Sequence, residues 1–344
     1  MKLLLVAQDA NPSRSFAKLA EAYPEFGITP TLAVADGKDF PFKPWELKEM
    51  AKEADFILVG MSSDRKLAVP EWDVCKVAGA FGVPYGLYSD SWGCFSREWF
   101  ADFRDEANLL FVLNKMEATA ARNLFTKARI IPSGNIIWEE FSFLGKNRRS
   151  MRGRINAGER KVILVPGTKD GASNVSLLAA LVKALLDAEE TKGAMVFFAV
   201  HPGDKTNHDS YRKYAVLSSD WGLSTNDLLE AADVVVSASS ATTDVAACFL
   251  RIPVVNFLNT RAKERIKRES GDEIPELVKR GVILPALDSA GIRMHLRSLF
   301  CEMGAELRET LRDHEEKMFP VAASPGETAN VILRAIRDTV FPAR

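Results

Sequence analysis

Residues 232–257 read ADVVVSASSATTDVAACFLRIPVVNF, and this stretch decides the fold class. The run Val234–Val236 is short and continuously apolar, which is typical of a strand buried on both faces. A turn of small and hydroxylated residues follows, then a helical segment at Thr242–Leu250 and a second apolar run at Val254–Phe257. The order strand, helix, strand predicts one unit of a parallel α/β sheet.

The same alternation of apolar runs and helical segments fills the rest of the chain in two series. The first series consists of Leu3–Ala7, Thr31–Val34, Phe56–Gly60, Tyr85–Tyr88 and Leu110–Leu113. The second consists of Val162–Val165, Val196–Val200, Val234–Val236, Val254–Phe257 and Val282–Leu284. A chain of 344 residues suits two such domains of about 150 residues each. We therefore predict an α/β protein with two Rossmann-like domains, whose mostly parallel sheets face a central cleft.

The domain boundaries follow from breaks in this pattern. We predict an N-terminal domain over residues 1–145, a basic linker over 146–160, a C-terminal domain over 161–322 and a C-terminal helix over 323–344. The segment 145–161, GKNRRSMRGRINAGERK, is strongly cationic and has no apolar period, which is typical of a linker. Its arginines could instead bind an acceptor phosphate or anionic headgroups. The last helix follows the breaker run ASPG at 323–326 and could pack back on the N-terminal domain.

Composition excludes several classes of partner. The net charge is −1, so no overall field would draw the protein to nucleic acid or to an anionic membrane. No apolar run approaches the roughly 20 residues that span a bilayer, so membrane contact is expected to be peripheral at most. The four cysteines are scattered without metal-ligand spacing, as for free thiols in a reducing compartment. We predict a cytoplasmic protein; a homodimer is compatible with the sequence, which leaves the oligomeric state open.

The strongest candidate site is the turn after the strand at 234–236. Ligands of parallel α/β sheets bind beyond the carboxyl ends of the strands. Small side chains there let backbone amides approach a pyrophosphate, hydroxyls add donors, and the helix N-terminus contributes about half a positive charge. The predicted ligands of the diphosphate are Ser239, Ser240, Thr242 and Thr243. Asp244, one turn into the helix, is expected to accept hydrogen bonds from the ribose diol. Alternatively, Ser240 is only the helix N-cap and Asp244 only complements the helix dipole.

Further candidates follow other strands. Gly167 and Thr168 open a loop that could cradle a phosphate or a sugar, although any strand-to-helix turn favours glycine and a capping residue. His201, in HPGD, could donate a hydrogen bond to the phosphate or the sugar, or could anchor its loop. Asp9 and Asp90 follow the first and fourth strands of the N-terminal domain, and either could act as a general base or as a helix cap.

Aromatic residues cluster after the fourth strand. This cluster could form a platform for a sugar or a lipid acceptor, although aromatic residues at near-helical spacing more often lie in a core. It comprises Trp92, Phe95, Trp99 and Phe100, with Arg97 and Arg104 nearby.

The residues described so far resemble a known superfamily. FFAVHPGD around His201 is similar to the strand-His-Pro element of UDP-N-acetylglucosamine 2-epimerases and related GT-B glycosyltransferases. The stretch 239–255, SSATTDVAACFLRIPVV, resembles their serine-led turn, acidic helix start and following strand. In the first half, the stretch 97–125 followed by RIIPSGNII at 129–137 is similar to the family's acidic and arginine-containing helix, strand and interdomain turn. The resemblance implies a GT-B fold whose second domain binds a nucleotide-sugar.

The sequence also departs from the epimerases. Gln8-Asp9-Ala10-Asn11-Pro12 stands where they have Gly-Thr-Arg-Pro-Glu, and Ser89-Asp90-Ser91-Trp92-Gly93 stands where they have Glu-Ala-Gly-Leu-Arg. Ser239-Ser240 replaces their Gly-Gly, and Asp244 replaces a pair of glutamates. The catalytic carboxylates of the epimerases are thus not carried over by the resemblance. The Ser-Ser-x-Thr-Thr-Asp turn is closer to transferases of the glycerophosphate and lipid-A disaccharide types.

These features together predict a metal-independent glycosyltransferase. Its substrate would be a nucleoside-diphosphate sugar, UDP- or CDP-linked, and it would need no cofactor. The chain contains no Asp-x-Asp metal motif, and a helix terminus with hydrogen-bond donors can stabilise a departing diphosphate. The expected acceptor is a surface glycan or a glycolipid precursor, deprotonated by Asp90 or Asp9. The alternatives are a nucleotide-sugar epimerase or hydrolase of the UDP-N-acetylglucosamine 2-epimerase type and a non-catalytic GT-B-like binding protein.

Overall fold

The structure, a computed structural model, describes residues 1–22, 26–36, 39–186, 189–270 and 272–342. Residues 343–344 of the predicted C-terminal segment lie outside these ranges. The strands are β1 Lys2–Ala7, β2 Thr29–Val34, β3 Phe56–Gly60, β4 Tyr85–Tyr88, β5 Leu109–Val112, β6 Arg129–Pro132, β7 Val162–Pro166, β8 Met195–Ala199, β9 Val216–Leu217, β10 Val234–Ser237, β11 Val254–Phe257 and β12 Leu284–Ala286. The α-helices are α1 Ala10–Ala20, α2 Pro44–Glu53, α3 Val69–Phe81, α4 Lys115–Ala121, α5 Arg148–Arg154, α6 Gly171–Leu186, α7 Asp209–Arg212, α8 Thr225–Ala231, α9 Ala241–Phe249, α10 Thr260–Ser270, α11 Glu276–Lys279, α12 Ser289–Phe300, α13 Ala305–Met318 and α14 Glu327–Val340.

The chain divides into two compact units. Unit 1 comprises Met1–Glu140 and Pro320–Arg344, and unit 2 comprises Phe141–Phe319. Over the described residues, each unit contains one six-stranded sheet in which every strand pair is parallel. The predicted fold class, an α/β protein with two Rossmann-like domains, is confirmed.

The sheet of unit 1 has the strand order β2-β1-β3-β4-β5-β6. Side chains of β1 alternate between its two faces, because Leu4 and Val6 belong to one buried cluster and Leu3 and Leu5 to another. Both faces are therefore covered, which explains why the strands read as continuous apolar runs. Strand β2 lies on one side of β1, and β3 and the later strands lie on the other side. The carboxyl ends of β1 and β3 therefore flank a topological switch point.

Helix α14 is part of unit 1. Its apolar residues recur every three to four positions, and Ile332, Leu333 and Ile336 are buried in the cluster that includes Leu3 and Leu5 of β1. The carboxylate of Glu139 accepts hydrogen bonds from the backbone amides of Gly326 and Thr328. Two amides at the start of the helix, which have no acceptor inside it, are satisfied in this way.

The sheet of unit 2 has the strand order β12-β11-β10-β7-β8-β9. Strand β7, the first in the unit, lies at the centre, with β8 on one side and β10 on the other. This is the order of the doubly wound dinucleotide-binding sheets, in which the two strands on either side of the reversal leave a crevice at their carboxyl ends. The switch point of unit 2 therefore lies between β7 and β10.

The basic segment 146–160 is not a free linker, and the structure corrects this prediction. It forms α5 inside unit 2, where Arg148 and Arg152 contact the two carboxylate oxygens of Asp233 at 2.6 and 3.1 Å. Asp233 also accepts a hydrogen bond from the amide of Val162 at the start of β7. The charge of this segment thus reflects ion pairs with a residue about 80 positions away, which a local reading of composition does not reveal.

Along the described ranges, none of the helices has the length and apolar character that crossing a bilayer would require.

Candidate functional site

Unit 2 contains a cavity of about 480 Å³ at the carboxyl ends of β7, β8 and β10. A crevice at this position is the one that the strand order predicts. The structure brings six of the predicted site residues together around it, namely Gly167, Thr168, His201, Ser239, Ser240 and Thr242. The other side chains of the wall are Lys169, Asp170, Arg265 and Arg268.

Gly167 is required by close packing at the end of β7. Its amide donates a hydrogen bond to the carbonyl of Ala199 at 2.8 Å, which continues the pairing with β8 beyond the strand. A Cβ atom at this position would lie 2.9 Å from that carbonyl oxygen and 2.9 Å from the ring of Phe198. Any side chain would force the two strand ends apart, so the glycine allows the first loop of the cavity to start close to the second.

A buried polar network holds the loops behind the cavity. The side-chain oxygen of Asn174 accepts hydrogen bonds from the amide and hydroxyl of Thr168 at 2.8 and 3.1 Å. Its amide group donates to Asp204, which also accepts from the hydroxyl of Tyr211. Burial alone would raise the pKa of Asp204, but these hydrogen bonds outweigh it and lower the pKa. The carboxylate is thus held ionised and joins the loop after β7 to the loop after β8.

His201 presents a hydrogen-bond donor at the cavity. Its Nδ1 atom accepts a hydrogen bond from the amide of Gly203 at 2.8 Å. In the neutral imidazole the proton is consequently on Nε2. A His201 side chain lining the cavity in this tautomer can donate to an oxygen of a phosphate or a sugar.

The turn between β10 and α9 has a constrained backbone. Ser239 adopts a left-handed conformation with φ of 66°, which is unfavourable for a residue with a side chain. Its amide is held by the hydroxyl of Ser237 at 3.2 Å, and the guanidinium of Arg265 donates to the carbonyls of Ala238 and Ser239. Ser240 and Thr242, at the start of α9, line the cavity, so the N-terminus of this helix borders it.

Asp244 does not line the cavity, and the structure corrects the ribose assignment. Its side chain is 2% exposed, and its Oδ2 atom accepts hydrogen bonds of 3.0 Å each from the hydroxyl of Ser237, the amide of Ser240 and the amide group of Asn256. Burial raises the pKa of Asp244 to about 6, against the lowering effect of these hydrogen bonds. Asp244 therefore stabilises the turn from inside the protein. Thr243, predicted to bind the diphosphate, is likewise buried and absent from the cavity wall.

The cavity also has three cationic side chains to which the sequence analysis assigned no individual role. They are Lys169, Arg265 and Arg268. Over the described residues, neither Lys169 nor Arg268 forms an ion pair. Arg265 and Arg268 are three positions apart on α10 and so share one face of it. The basic run TRAKERIKR at 260–268, directly after a strand, was the signal that could have revealed the two arginines.

Asp9 and Asp90, the predicted general bases, lie in unit 1. Asp9 caps α1: its carboxylate accepts from the amide of Ala10 at 2.8 Å and from the amide and hydroxyl of Ser63 at 3.0 and 2.6 Å. Burial would raise the pKa of Asp9, but these hydrogen bonds outweigh it and lower the pKa. A carboxylate stabilised in this way is a weak base, and its contacts are those of a helix cap that bridges the ends of β1 and β3.

Asp90 has the opposite character. Its side chain is 4% exposed at the end of β4, and burial raises its pKa to about 6, partly offset by the nearby guanidinium of Arg97. The pKa of buried Glu71 is raised further, to about 7, although it accepts hydrogen bonds from the amide and hydroxyl of Ser62. Unit 1 thus holds two carboxyl groups whose pKa values lie near neutrality. Within the described ranges, no His, Cys, Asp or Glu side chains form a group of three or more that could hold a metal ion.

Comparison with known proteins supports the fold. No protein-family model matches the chain, and no curated protein sequence matches it. Solved structures do match along nearly its full length. A putative UDP-N-acetylglucosamine 2-epimerase from Listeria monocytogenes has a TM-score of 0.59 at 14% identity, over 100% of this chain and 97% of that one. A ugt transferase from Siraitia grosvenorii in complex with UDP has a TM-score of 0.59 at 11% identity, over 98% and 99% of the two chains.

A glycosyltransferase from Rickettsia africae is a third similar structure, with a TM-score of 0.57 at 11% identity over 99% of each chain. At such identities the likeness establishes the fold and leaves the reaction open. The matching structures include UDP-N-acetylglucosamine 2-epimerases and glycosyltransferases, so the fold that the predicted resemblance implies is confirmed.

Proposed function

We propose that the protein is a metal-independent glycosyltransferase whose donor is a UDP- or CDP-linked sugar. The observation that carries this proposal is the unit 2 cavity. It combines a helix N-terminus, hydroxyl groups and cationic side chains at the switch point of a doubly wound sheet. Among the similar structures, one is named as an epimerase of a nucleotide-sugar and two are named as transferases. This supports a nucleotide-sugar enzyme of the GT-B type.

The charge of the cavity suits a diphosphate. Lys169, Arg265 and Arg268 place three positive charges on its wall, against the single carboxylate of Asp170. The N-terminus of α9 adds about half a positive charge, with amide groups that have no acceptor within the helix. In this proposal, the hydroxyls of Ser240 and Thr242 and the amide of Thr242 bind the phosphate oxygens, while the cations neutralise their charge.

The same groups would act on the leaving group. Transfer of the sugar breaks its bond to the diphosphate, on which negative charge then accumulates. Fixed donors stabilise that charge without reorganising, so they favour the transition state over the bound substrate. The Nε2 proton of His201 is such a donor. We assign His201 to an oxygen of the sugar or of its phosphate.

Asp90 is the better of the two proposed general bases. A base must be deprotonated before it can accept the proton of an acceptor hydroxyl, and it works best when its pKa is near the pH of the reaction. Asp90, with a pKa of about 6, is mostly ionised at pH 7 and retains affinity for a proton. Asp9, whose pKa is lowered by its capping hydrogen bonds, has less. We therefore assign the base to Asp90 and a structural capping role to Asp9.

One observation favours a second candidate, a nucleotide-sugar epimerase or hydrolase. An epimerase needs acidic groups on both faces of the sugar, and unit 1 holds Asp90 and Glu71, both with raised pKa values. Glu71, however, is completely buried and engaged by the amides of Gln8 and Ser62. Its contacts are those of a group that joins two loops, which is why we place the transferase first.

A nucleotide screen followed by a turnover assay tests the proposal. Thermal unfolding is recorded with UDP, CDP and AMP, the last as a control without a diphosphate. A ligand at 100 times its Kd stabilises the protein by about 2.7 kcal/mol, which raises the melting temperature by several degrees. We expect UDP or CDP to produce this shift and AMP to produce none. No shift with either diphosphate would contradict nucleotide-sugar binding.

The turnover assay separates the two candidate functions. The protein is incubated with UDP-N-acetylglucosamine and no acceptor, and the products are followed by proton NMR. A transferase leaves the substrate essentially unchanged over the time in which an epimerase or hydrolase interconverts or releases the sugar. Rapid formation of an epimeric UDP-sugar or of free N-acetylated sugar would overturn the transferase assignment in favour of the second candidate.

A further inference from the structure

Unit 1 contains a cavity of its own, between α3 and the 3-10 helix Glu98–Phe103. Its volume is about 440 Å³, within the range of pockets that hold small molecules. The side chains that matter for its chemistry are Arg65, Trp72, Lys76, Glu98, Trp99 and Asp102. None of these residues belongs to the site described in unit 2.

The cavity selects one member of the aromatic cluster predicted at 92–100. Phe95 and Phe100 are 5% and 0% exposed and belong to the core of unit 1, as the structural alternative predicts. Trp92 pairs with Trp138 at a ring-centroid distance of 6.2 Å. Of the four, Trp99 lines the cavity, and it does so together with a residue outside the predicted cluster, Trp72 of α3.

Both tryptophans are half-buried and their positions are fixed. The Nε1 atom of Trp99 donates a hydrogen bond of 3.1 Å to the carbonyl of Ser62, just beyond β3. The guanidinium of Arg65 lies 5.7 Å from the ring centroid of Trp72, a distance at which a cation attracts an aromatic face. Both indoles also pack on the core of unit 1, so each contributes only part of its ring to the concave wall, as a small and rigid apolar surface among polar groups.

The charged side chains around the indoles balance one another in number and are not paired. Arg65 and Lys76 are cationic, and Glu98 and Asp102 are anionic. In the part of the chain that the structure describes, none of the four forms an ion pair or a side-chain hydrogen bond. They therefore keep their full hydrogen-bonding capacity, with donors and acceptors side by side and a net charge of zero.

We propose that this cavity binds a saccharide. A sugar ring has apolar C–H faces that suit an indole and a rim of hydroxyls that both donate and accept hydrogen bonds. A polyanion would meet the carboxylates of Glu98 and Asp102, and a cation would meet Arg65 and Lys76. A neutral polyhydroxylated ring is the ligand class to which all six side chains contribute. On the proposed transferase function, on which this step rests, the sugar held here belongs to the acceptor.

Fluorine NMR of the full chain labelled with 5-fluorotryptophan tests the proposal. The protein has six tryptophans, so six signals are assigned by single substitutions. The methyl glycosides of glucose, galactose, mannose and N-acetylglucosamine are added separately to about 50 mM, because a ligand of this size is expected to bind with a Kd of about 1 to 10 mM. We expect at least one of them to shift the signals of Trp72 and Trp99 saturably and to leave that of Trp45 unchanged.

Variants check that the shifts come from the cavity. Asp102→Asn removes an exposed charge without changing the packing and should weaken the binding of that glycoside about tenfold, as should Trp72→Ala. Trp45→Ala is the matched control, since Trp45 is a 63% exposed tryptophan of α2 outside the cavity. Equal binding by all three variants would overturn the proposal, as would the absence of any shift with all four glycosides.

Two further samples separate this proposal from the function proposed above. Uridine added alone should leave Trp72 and Trp99 unshifted; shifts with uridine and none with the glycosides would refute the saccharide class. UDP binding is measured independently by thermal unfolding. If the glycosides bind and UDP does not, the saccharide site stands and the donor site fails. If UDP binds and no glycoside does, the donor site stands and the saccharide site fails.

Discussion

The substitution Asp244→Asn should stabilise the protein at neutral and alkaline pH. Burial raises the pKa of Asp244 from 3.8 to about 6. The folded state therefore binds this proton more tightly than the unfolded state does. The contribution of Asp244 to the free energy of unfolding is fully present below pH 3.8 and is lost as the pH rises through about 6. Because the pKa is raised by about two units, the free energy of unfolding at pH 8 is about 3 kcal/mol lower than below pH 3.8, and at pH 5 it is about 1.5 kcal/mol lower.

Asparagine does not ionise, so it removes the destabilisation by the buried charge, and it can keep the hydrogen bonds that Asp244 accepts. Its side-chain oxygen can still accept from Ser237, Ser240 and Asn256, as Oδ2 of Asp244 does. The new amide group replaces Oδ1, a buried atom without a hydrogen-bond partner, and Oδ1 of Asn256 is a buried acceptor in the same state. We expect Asp244→Asn to raise the free energy of unfolding by up to about 3 kcal/mol at pH 8 and by about half as much at pH 5.

Urea unfolding is measured by the fluorine NMR signal of Trp221 in protein labelled with 5-fluorotryptophan. Trp221 is the single tryptophan of residues 141–319, so its signal reports on unit 2. Asp244→Ala is the comparison, because it removes the same charge but leaves three donors without their acceptor, so its free energy of unfolding should be about 3 kcal/mol or more below that of Asp244→Asn. An Asp244→Asn variant that is less stable than the wild type at pH 8, or a gain that does not change with pH, would refute this reasoning.

The structure also gives expected outcomes for substitutions at two other positions, Gly167 and Asp90. Gly167→Ala should lower the free energy of unfolding by about 1 to 3 kcal/mol, because its Cβ would lie 2.9 Å from the carbonyl oxygen of Ala199; Gly153→Ala, where a Cβ meets nothing within 4 Å, is the matched control and should be neutral or slightly stabilising in urea unfolding. Once an acceptor is in hand, the transfer rate should rise with pH through about 6 as Asp90 ionises, and Asp90→Asn should remove both this rise and most of the activity; an unchanged pH profile would exclude Asp90 as the base.

The fold could be predicted from the sequence because it depends on local patterns. Continuous apolar runs mark strands covered on both faces, and their spacing by helices leaves a parallel sheet as the solution. The loops after β7, β8 and β10 could be predicted for the same reason, since the carboxyl ends of parallel strands share one edge. Gly167, His201 and Ser239 were found in this way, and the structure places them around one cavity.

The parts that were missed depend on contacts between distant residues. Asp244 occupies the position of a ligand in the sequence, but Asn256 on the neighbouring strand draws its carboxylate inward. The arginines of α5 were assigned to a linker because Asp233, their partner, lies far away in the chain. Arg268 was overlooked because a basic helix alone does not show which of its faces borders a cavity.

The central claim, that unit 2 holds a nucleoside diphosphate, is tested most directly by calorimetric titration of UDP and CDP into the wild type and two variants. Arg268 lines the cavity, whereas its neighbour Lys267 pairs with Glu273 at 2.9 Å and does not. We expect one of the two nucleotides to bind with an affinity that falls as salt rises, because the exposed charges are screened. Arg268→Ala should weaken binding about tenfold and Lys267→Ala should leave it unchanged. Equal affinities for all three proteins, or no binding of either nucleotide to the wild type, would contradict the claim.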